Sequence, residues 1–585
     1  MKEQGHGHIP DDCWELIFEK VRQDDERDLD SISLVSKRFL SISNRVKLSL
    51  KVNDETISFL PDFFRRFRYI ETIIIGTDAC KNIDGLVDQI TPSDLLNLQA
   101  IKFGGFPTRH RRAQYVFKSL VALSKNRKNN LKVLDCSGLI CMQESDLVLI
   151  ADLFPRLEEL KITAAINNGD VAARGVDALA SKLKDLKEFA FTGNTYFITD
   201  QSLISLSTNC VKLKRISLVG ISSTDQHYVT GEGIDFVMRH SPNLTDLSLH
   251  LWSLQSSASS FKIANGYTNA KNLHSLSMNK QLISNKHIRL VAKARPALKT
   301  LKLIGYRGRY FEIHGALKLL LQACELTLEE LNLGCWPLTD ANISNLAEHL
   351  SNLTFIDLQG CFELTSVTFY TLTRSCPSLE ILKMTNERGQ QMDTCRFKKK
   401  EMDTFSLDFF PKNYNMRHLD VSGVRWLTDM TLMNFGQVCP NLQFLGASHC
   451  LHLTNFGIGE VLLICPAITQ LSIDSVKVSD VFGNYFVNLS SVNLKTLRAR
   501  STQINDEGMT KIGNRCRNLQ YLDIGYCKKV TDKGVMEVVR NCERLRNISL
   551  LRCEEVSANI LPQMVLSSPP LGTLSHHVLV ISVNR

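Results

Sequence analysis

The sequence predicts an α/β solenoid in which one short strand, one turn and one helix are written many times and stacked in line. Three observations carry this. A pattern LxxLxL, closed by a short polar turn, recurs along the 585 residues: NLKVLDCSG (130–138), TLEELNLGC (327–335), NLTFIDLQGC (352–361), NMRHLDVSG (415–423), NLQFLGASHC (441–450), NLQYLDIGYC (518–527) and RLRNISLLRC (544–553). The spacing is nearly constant. Leu353 to Leu379, Met416 to Leu442, Leu442 to Ile468 and Leu519 to Leu545 are 26 residues each, and Leu328 to Leu353 and Leu494 to Leu519 are 25. Between copies lies a helical phrase, as in LTDANISNLAEHLSNL (338–353), VTDKGVMEVVRNCERL (530–545) and ITDQSLISLSTNCVKL (198–213). Its Thr-Asp suits a helix N-terminus, and apolar residues then return at helical spacing.

The strand phrase gives each unit its inner edge. Strands alternate their side chains, so the leucines enter a core and the residue between the last two apolar positions faces outward. That column reads Lys102, Asp135, Lys161, Ala190, Ser217, Ser248, Ser277, Lys302, Asn332, Asp357, Lys383, Asp420, Gly446, Ser472, Arg498, Asp523 and Ser549. It holds no large apolar residue, which leaves a solvated groove. Earlier copies, from Ile70 and Leu98 to Leu298, keep the pattern with looser spacing. A single unit cannot bury its own apolar edge, so the units must stack.

This period and pattern resemble leucine-rich repeats. Cysteine at the strand-end turn (Cys335, Cys361, Cys450, Cys527, Cys553) and near the helix end (Cys210, Cys376, Cys439, Cys465, Cys516, Cys542) resembles the cysteine-containing subfamily. The resemblance implies a horseshoe with a parallel sheet on the concave face and helices outside, about seventeen to nineteen repeats over residues 51–570.

The first helix is different. In IPDDCWELIFEKV (9–21), Trp14, Ile17, Phe18 and Val21 share one face of a helix. Pro10, Asp11 and Asp12 suit its start. An acidic link, RQDDER (22–27), leads to DLDSISLVSKRFLSISNRVKLSLKV (28–52), where Leu29, Ile32 and Val35 mark a second short stripe and Phe39 and Ile42 a third. This order resembles an F-box, and an F-box followed by cysteine-containing repeats resembles the F-box/leucine-rich-repeat proteins of plants and animals. The resemblance implies a small all-α F-box over residues 9–50, after a polar tail 1–8 and before the repeats and a closing segment 571–585. It also implies adaptor-binding residues: Ile9, Pro10, Trp14, Ile17, Phe18, Leu29, Val35 and Phe39. Cys13 and Trp14 stand where the family often has leucines, and Ser36 where it often has cysteine. The stripe has a second reading, as a cap packed on the first repeat.

Composition excludes several classes. With 69 basic and 60 acidic residues the net charge of +9 is mild and well mixed, unlike a dedicated nucleic-acid binder. No apolar run reaches the length of a membrane span; VLLICPAI (461–468) is far too short. The 17 cysteines show no CxxC, which suggests reduced thiols in cytoplasm or nucleus. No P-loop, GxSxG, HExxH or kinase signature is present, so no enzyme activity, metal or cofactor is expected. Glu158–Glu159 and Glu329–Glu330 read as solvated strand residues, and His576–His577 lies in an irregular tail.

The groove is therefore expected to bind a protein. Two long spacings, 33 residues from Leu98 to Leu131 and 37 from Leu379 to Met416, carry the basic segments 104–117 and 386–405. A third segment, LIGYRGRYFE (303–312), brings Tyr306, Arg307 and Arg309 past a strand. With Trp336, Trp426, Arg498, Arg500 and Arg552 they form the expected substrate surface. The resemblance implies a non-catalytic substrate receptor of an SCF-type ubiquitin ligase, bound through a Skp-type adaptor to cullin and RING subunits. A scaffold without a role in ubiquitin transfer, and a hormone co-receptor like the auxin and jasmonate receptors, are the alternatives.

Overall fold

The computed structural model describes residues 9–24, 26–53, 56–76, 98–104, 120–121, 124, 130–138, 144–163, 174–194, 198–222, 229–253, 266–279, 284–305, 314–386, 410–482 and 492–567. The segments 105–117, 306–312, 387–405 and 571–585, singled out above, lie outside them, and with them Tyr306, Arg307 and Arg309. The chain forms two compact units, Met1–Leu282 and Ile283–Arg585.

The first unit opens with three helices, α1 (Asp11–Asp24), α2 (Glu26–Ser33) and α3 (Lys37–Val46). Nine parallel strands follow among the described residues: β1 (Ser49–Val52), β2 (Thr72–Gly76), β3 (Ala100–Gly104), β4 (Val133–Cys136), β5 (Glu159–Thr163), β6 (Glu188–Asn194), β7 (Arg215–Ser222), β8 (Asp246–Ser253) and β9 (Ser275–Asn279). Each pairs with the next, the apolar residues in register, as Leu134 with Leu160 and Phe189 with Ile216.

The second unit holds ten described strands: β10 (Thr300–Ile304), β11 (Glu330–Asn332), β12 (Phe355–Asp357), β13 (Ile381–Lys383), β14 (His418–Asp420), β15 (Phe444–Gly446), β16 (Gln470–Ser472), β17 (Thr496–Arg498), β18 (Tyr521–Asp523) and β19 (Asn547–Ser549). They too form one parallel sheet, with Leu301, Leu331, Ile356, Leu382, Leu419, Leu445, Leu471, Leu497, Leu522 and Ile548 stacked in a buried row. Helices cover that side, and among the described residues no helix or strand covers the other face of the sheet.

The Thr-Asp phrase does two things. Threonine caps its own helix: Thr339, Thr428 and Thr531 accept backbone N–H bonds from the first turn. The aspartate reaches forward one repeat. Asp506 accepts from the backbone N–H (2.8 Å) and hydroxyl (2.6 Å) of Thr531, and Asp532 does the same for Ser557. Asp429 serves Thr454 likewise. In two of these repeats the next helix carries glycine beside the carboxylate, where a Cβ at Gly457 would sit 2.2 Å from that of Asp429 and one at Gly534 2.4 Å from that of Asp506; after Asp340 the same position is Thr368, whose hydroxyl donates to that aspartate.

Cysteine is selected for a similar reason. At the turns, Cys361, Cys450, Cys527 and Cys553 donate their thiols to the carbonyl oxygens of Leu333, Val421, Ala499 and Ile524 in the preceding repeat. At the helix ends, Cys542 donates to Cys516 and Cys465 to Cys439. A small side chain with a weak donor fits where a leucine would overfill the turn. Burial pushes the thiols of Cys361, Cys376 and Cys542 up to about 12, which keeps them protonated. All cysteines among the described residues are free.

Candidate functional site

Two surfaces stand out, one on the helical trio and one on the open sheet face of the second unit. In the trio, Phe18, Leu29, Ile42 and Val46 form a closed core, with Trp14, Val21, Ile32 and Phe39 packed on it. Trp14 and Phe18 meet Phe39 at centroid distances of 4.7 and 5.2 Å. Ion pairs brace the same joint. Arg38 donates to Asp11 (2.7 Å) and Arg45 to Glu15 (2.5 Å), so two turns of α1 are tied to two turns of α3. The Arg38 bond holds the Asp11 carboxyl below its ordinary range, and the Glu15 bond raises Arg45. Ser36 caps α3 by accepting from the Phe39 N–H. Pro10 directly precedes α1.

The apolar stripe of α1 therefore has its partner within the chain. Of the residues expected at the adaptor surface, Phe18 and Leu29 lie in the trio's own core and Trp14 and Phe39 are partly buried against it. What remains outside is a different set. Ile9 and Ile17 are each 44% exposed, Val35 68%, Leu16 68% and Leu34 86%. Pro10 is exposed as well. Leu16 lies off the apolar stripe of α1, and Leu34 lies with Val35 in the turn between α2 and α3. The trio joins the sheet without a linker, since α3 ends at Val46 and β1 begins at Ser49.

On the open sheet face the column expected to line the groove divides in two. Asn332, Asp357, Asp420 and Asp523 turn back and accept the backbone N–H two residues on, at Gly334, Gln359, Ser422 and Gly525. They shape the turn that ends each strand. The cations behave otherwise. Lys383 lies over the Phe355 ring (5.5 Å) and Arg498 over Tyr521 (5.6 Å), and neither has an ion-pair partner among the described residues. Arg500 lies over Tyr526 (5.7 Å) and near Asp523 (3.7 Å). Its backbone N–H is held by Asp474 (2.7 Å), whose carboxyl is raised by burial. Arg552 is exposed at the turn after β19, with a left-handed backbone (φ 54°) at the position that Gly360 and Gly423 fill in earlier repeats.

Two expected groove residues are packing residues instead. Trp336 is 2% exposed, and its indole N–H donates to the Leu303 carbonyl at 2.7 Å. Trp426 is half-buried, donates to the Leu364 carbonyl (2.8 Å) and meets Phe435 edge-on. With Phe369 stacked on Phe435 at 3.8 Å, it ties helix Ser366–Ser375 to helix Asp429–Val438. Indoles bury large area when their N–H finds a carbonyl, and the turn supplies one. The paired acids are ion-paired, Glu158 with Lys187, Glu159 with Lys161 and Glu329 with Lys299.

The sequence reading missed a second groove column, two residues before the first. Strand alternation puts both on the open face. In β12 to β15 this column reads Phe355, Ile381, His418 and Phe444, all half-buried, with His418 stacked on Phe444 at 3.9 Å and nearly parallel. In β16 to β19 it is Gln470, Thr496, Tyr521 and Asn547. Among the described residues no group of three or more His, Cys, Asp or Glu could hold a metal ion, and no helix is long and apolar enough to cross a membrane.

Comparison with known proteins agrees with the repeat architecture. Residues 515–539 match the family model described as Leucine Rich repeat. The rice (Oryza sativa subsp. japonica) Transport inhibitor response 1-like protein Os11g0515500 is 23% identical over 412 residues, covering 63% of this chain and 67% of that protein. The Arabidopsis thaliana F-box protein SKIP1 is 44% identical over 127 residues, covering 20% of this chain. The chain spans only 41% of that second relative. Among solved structures, the yeast Rad7 and Elc1 complex has 15% identity, 95% coverage of this chain, 96% of that one, and a TM-score of 0.36.

Proposed function

We propose that this chain, an F-box/leucine-rich-repeat protein, is a substrate-recognition subunit of an SCF-type ubiquitin ligase. The observation that carries the reading is the pairing of surfaces. A compact helical trio exposes Ile9, Leu16, Ile17, Leu34 and Val35, and the parallel repeat sheet begins three residues after the trio ends. Five exposed apolar side chains on one small helical unit suit a docking role. In this reading the trio holds a Skp-type adaptor, through it cullin and RING subunits, and the open sheet face holds the protein to be modified. The chain makes no covalent step itself. Its contribution is proximity, which turns an encounter between conjugate and target into a reaction within one assembly.

The test is affinity capture from cells with the proteasome blocked. Wild type should retrieve adaptor, cullin and ubiquitin-bearing partners together. Arg498→Glu with Arg500→Glu should keep adaptor and cullin and lose most ubiquitin-bearing partners. Capture of partners without any cullin subunit would instead mark a scaffold.

A further inference from the structure

The open face of the second unit is not uniform, and its two halves differ in chemistry. Across β12 to β15 the second column is apolar and aromatic, from Phe355 through Ile381 and His418 to Phe444. Beside Phe444 the first column is Gly446, over which the Asp420 carboxylate lies. Two strands further, on β17, Arg498 is exposed and rests on Tyr521. Asp523 is its neighbour in register, yet that carboxylate accepts the Gly525 N–H (3.1 Å) and turns toward Arg500 (3.7 Å). Asp474, the other acid nearby, accepts the Arg500 N–H. Both acids are engaged with Arg500 and the Gly525 N–H, and among the described residues none pairs with the Arg498 guanidinium. An arginine seated on an aromatic ring at the edge of an apolar row is the composition of a binding hot spot.

We propose that this face is a two-part groove for one extended peptide segment of a partner protein, apolar in one part and anionic in the other. Resting on the receptor reading above, it specifies the class of substrate. Strand spacing sets the lengths. Neighbouring strands lie about 4.8 Å apart, so the row from β12 to β15 is about 14 Å long and Arg498 lies about 10 Å beyond it. At roughly 3.3 Å per extended residue, the segment carries about four residues over the apolar row and its anion about three residues further on. A carboxylate and a phosphate both suit Arg498, which offers a fork of N–H donors to either.

A library of random twelve-residue peptides displayed on phage, selected against the full chain, tests this and requires no identified substrate. The selected peptides should share an apolar run followed, in either chain direction, by an acidic residue about three positions away. The consensus peptide is then made with glutamate, phosphoserine or glutamine at the acidic position. Arg498→Ala should weaken the glutamate or phosphoserine peptide about tenfold or more and leave the glutamine peptide unchanged. The tighter of the two anionic peptides identifies carboxylate or phosphate as the ligand. Ile381→Thr, which keeps a β-branched residue on the strand, should weaken all three, and Arg289→Ala on helix Asn285–Ala294 none. The proposal falls if selection yields no shared motif, if Arg498→Ala affects all three peptides equally, or if Ile381→Thr turns a dimer into a monomer and so shows a second copy on the row. Adaptor capture is measured on the same samples. Peptide binding without adaptor keeps the groove and removes the ligase reading, and adaptor without peptide binding does the reverse.

Discussion

The two units stack their repeats with the same polar devices and differ in strand length and in what their open faces carry. In the first, strands are long, eight residues in β7 and in β8, and neighbouring repeats are joined by ion pairs: Lys187 with Glu158, Lys212 with Asp185, Arg215 with Glu188. Its open face between β6 and β9 carries the small residues Ala190, Ser217, Ser248 and Ser277. In the second, most strands are three residues long, and buried thiols and half-buried carboxylates join the repeats, as Cys210 and Asp200 do in the first. Its open face carries the aromatic rings and the cations seated on them.

The largest effect is expected from removing one of the half-buried carboxylates that join repeats. Asp506→Ala leaves the Thr531 N–H and hydroxyl without their acceptor. Loss of two charge-assisted bonds should cost about 2–3 kcal/mol. Alkylation of the cysteines in rising urea reads this by unit, since Cys516, Cys527 and Cys542 report on the second and Cys136 and Cys210 on the first. The second-unit thiols should react at lower urea and the first-unit thiols at an unchanged concentration. A smaller effect is expected from Cys465→Ala, which removes one thiol donor and its packing and should cost about 1 kcal/mol. Lys212→Ala in the first unit should shift neither transition, because both partners of that pair are largely in water.

Acidity gives a finer comparison. His418 is held below its ordinary value, first by burial and then by Lys383, with Asp420 opposing. Its native form is neutral, so the unfolded chain takes up this proton more readily than the folded one. Above the unfolded histidine's ordinary value neither state is protonated and the group costs nothing. As pH falls below that value the unfolded chain gains the proton first, and stability is lost. The second unit should therefore lose stability on acidification from pH 7 to pH 5 by an increment that His418→Phe abolishes, read from the same thiol protection.

The repeat pattern made the fold legible because leucines, Thr-Asp and cysteine each recur at one place in the unit. The roles of the Asp and Cys residues were less legible, since each acts on a neighbour about 25 to 29 residues away in the chain. Trp336 and Trp426 misled for a related reason. Their position past a strand suggested the groove, but a carbonyl of an earlier repeat captures each indole. In the trio helical periodicity marks both kinds of position, the buried Phe18 and Leu29 and the exposed Ile17 and Val35, and only the packing of the three helices separates them.

The central claim is that the exposed residues of the trio hold an adaptor while its core only supports them. Calorimetric titration of the chain with a purified Skp-type adaptor tests it directly, using Leu34→Asp with Val35→Asp. These side chains are 86% and 68% exposed, so the variant should fold with unchanged thiol protection in both units. Wild type should bind one adaptor per chain, and the variant at least about a hundredfold more weakly, since two carboxylates would be buried without partners. Equal affinity in wild type and a folded variant would contradict the account.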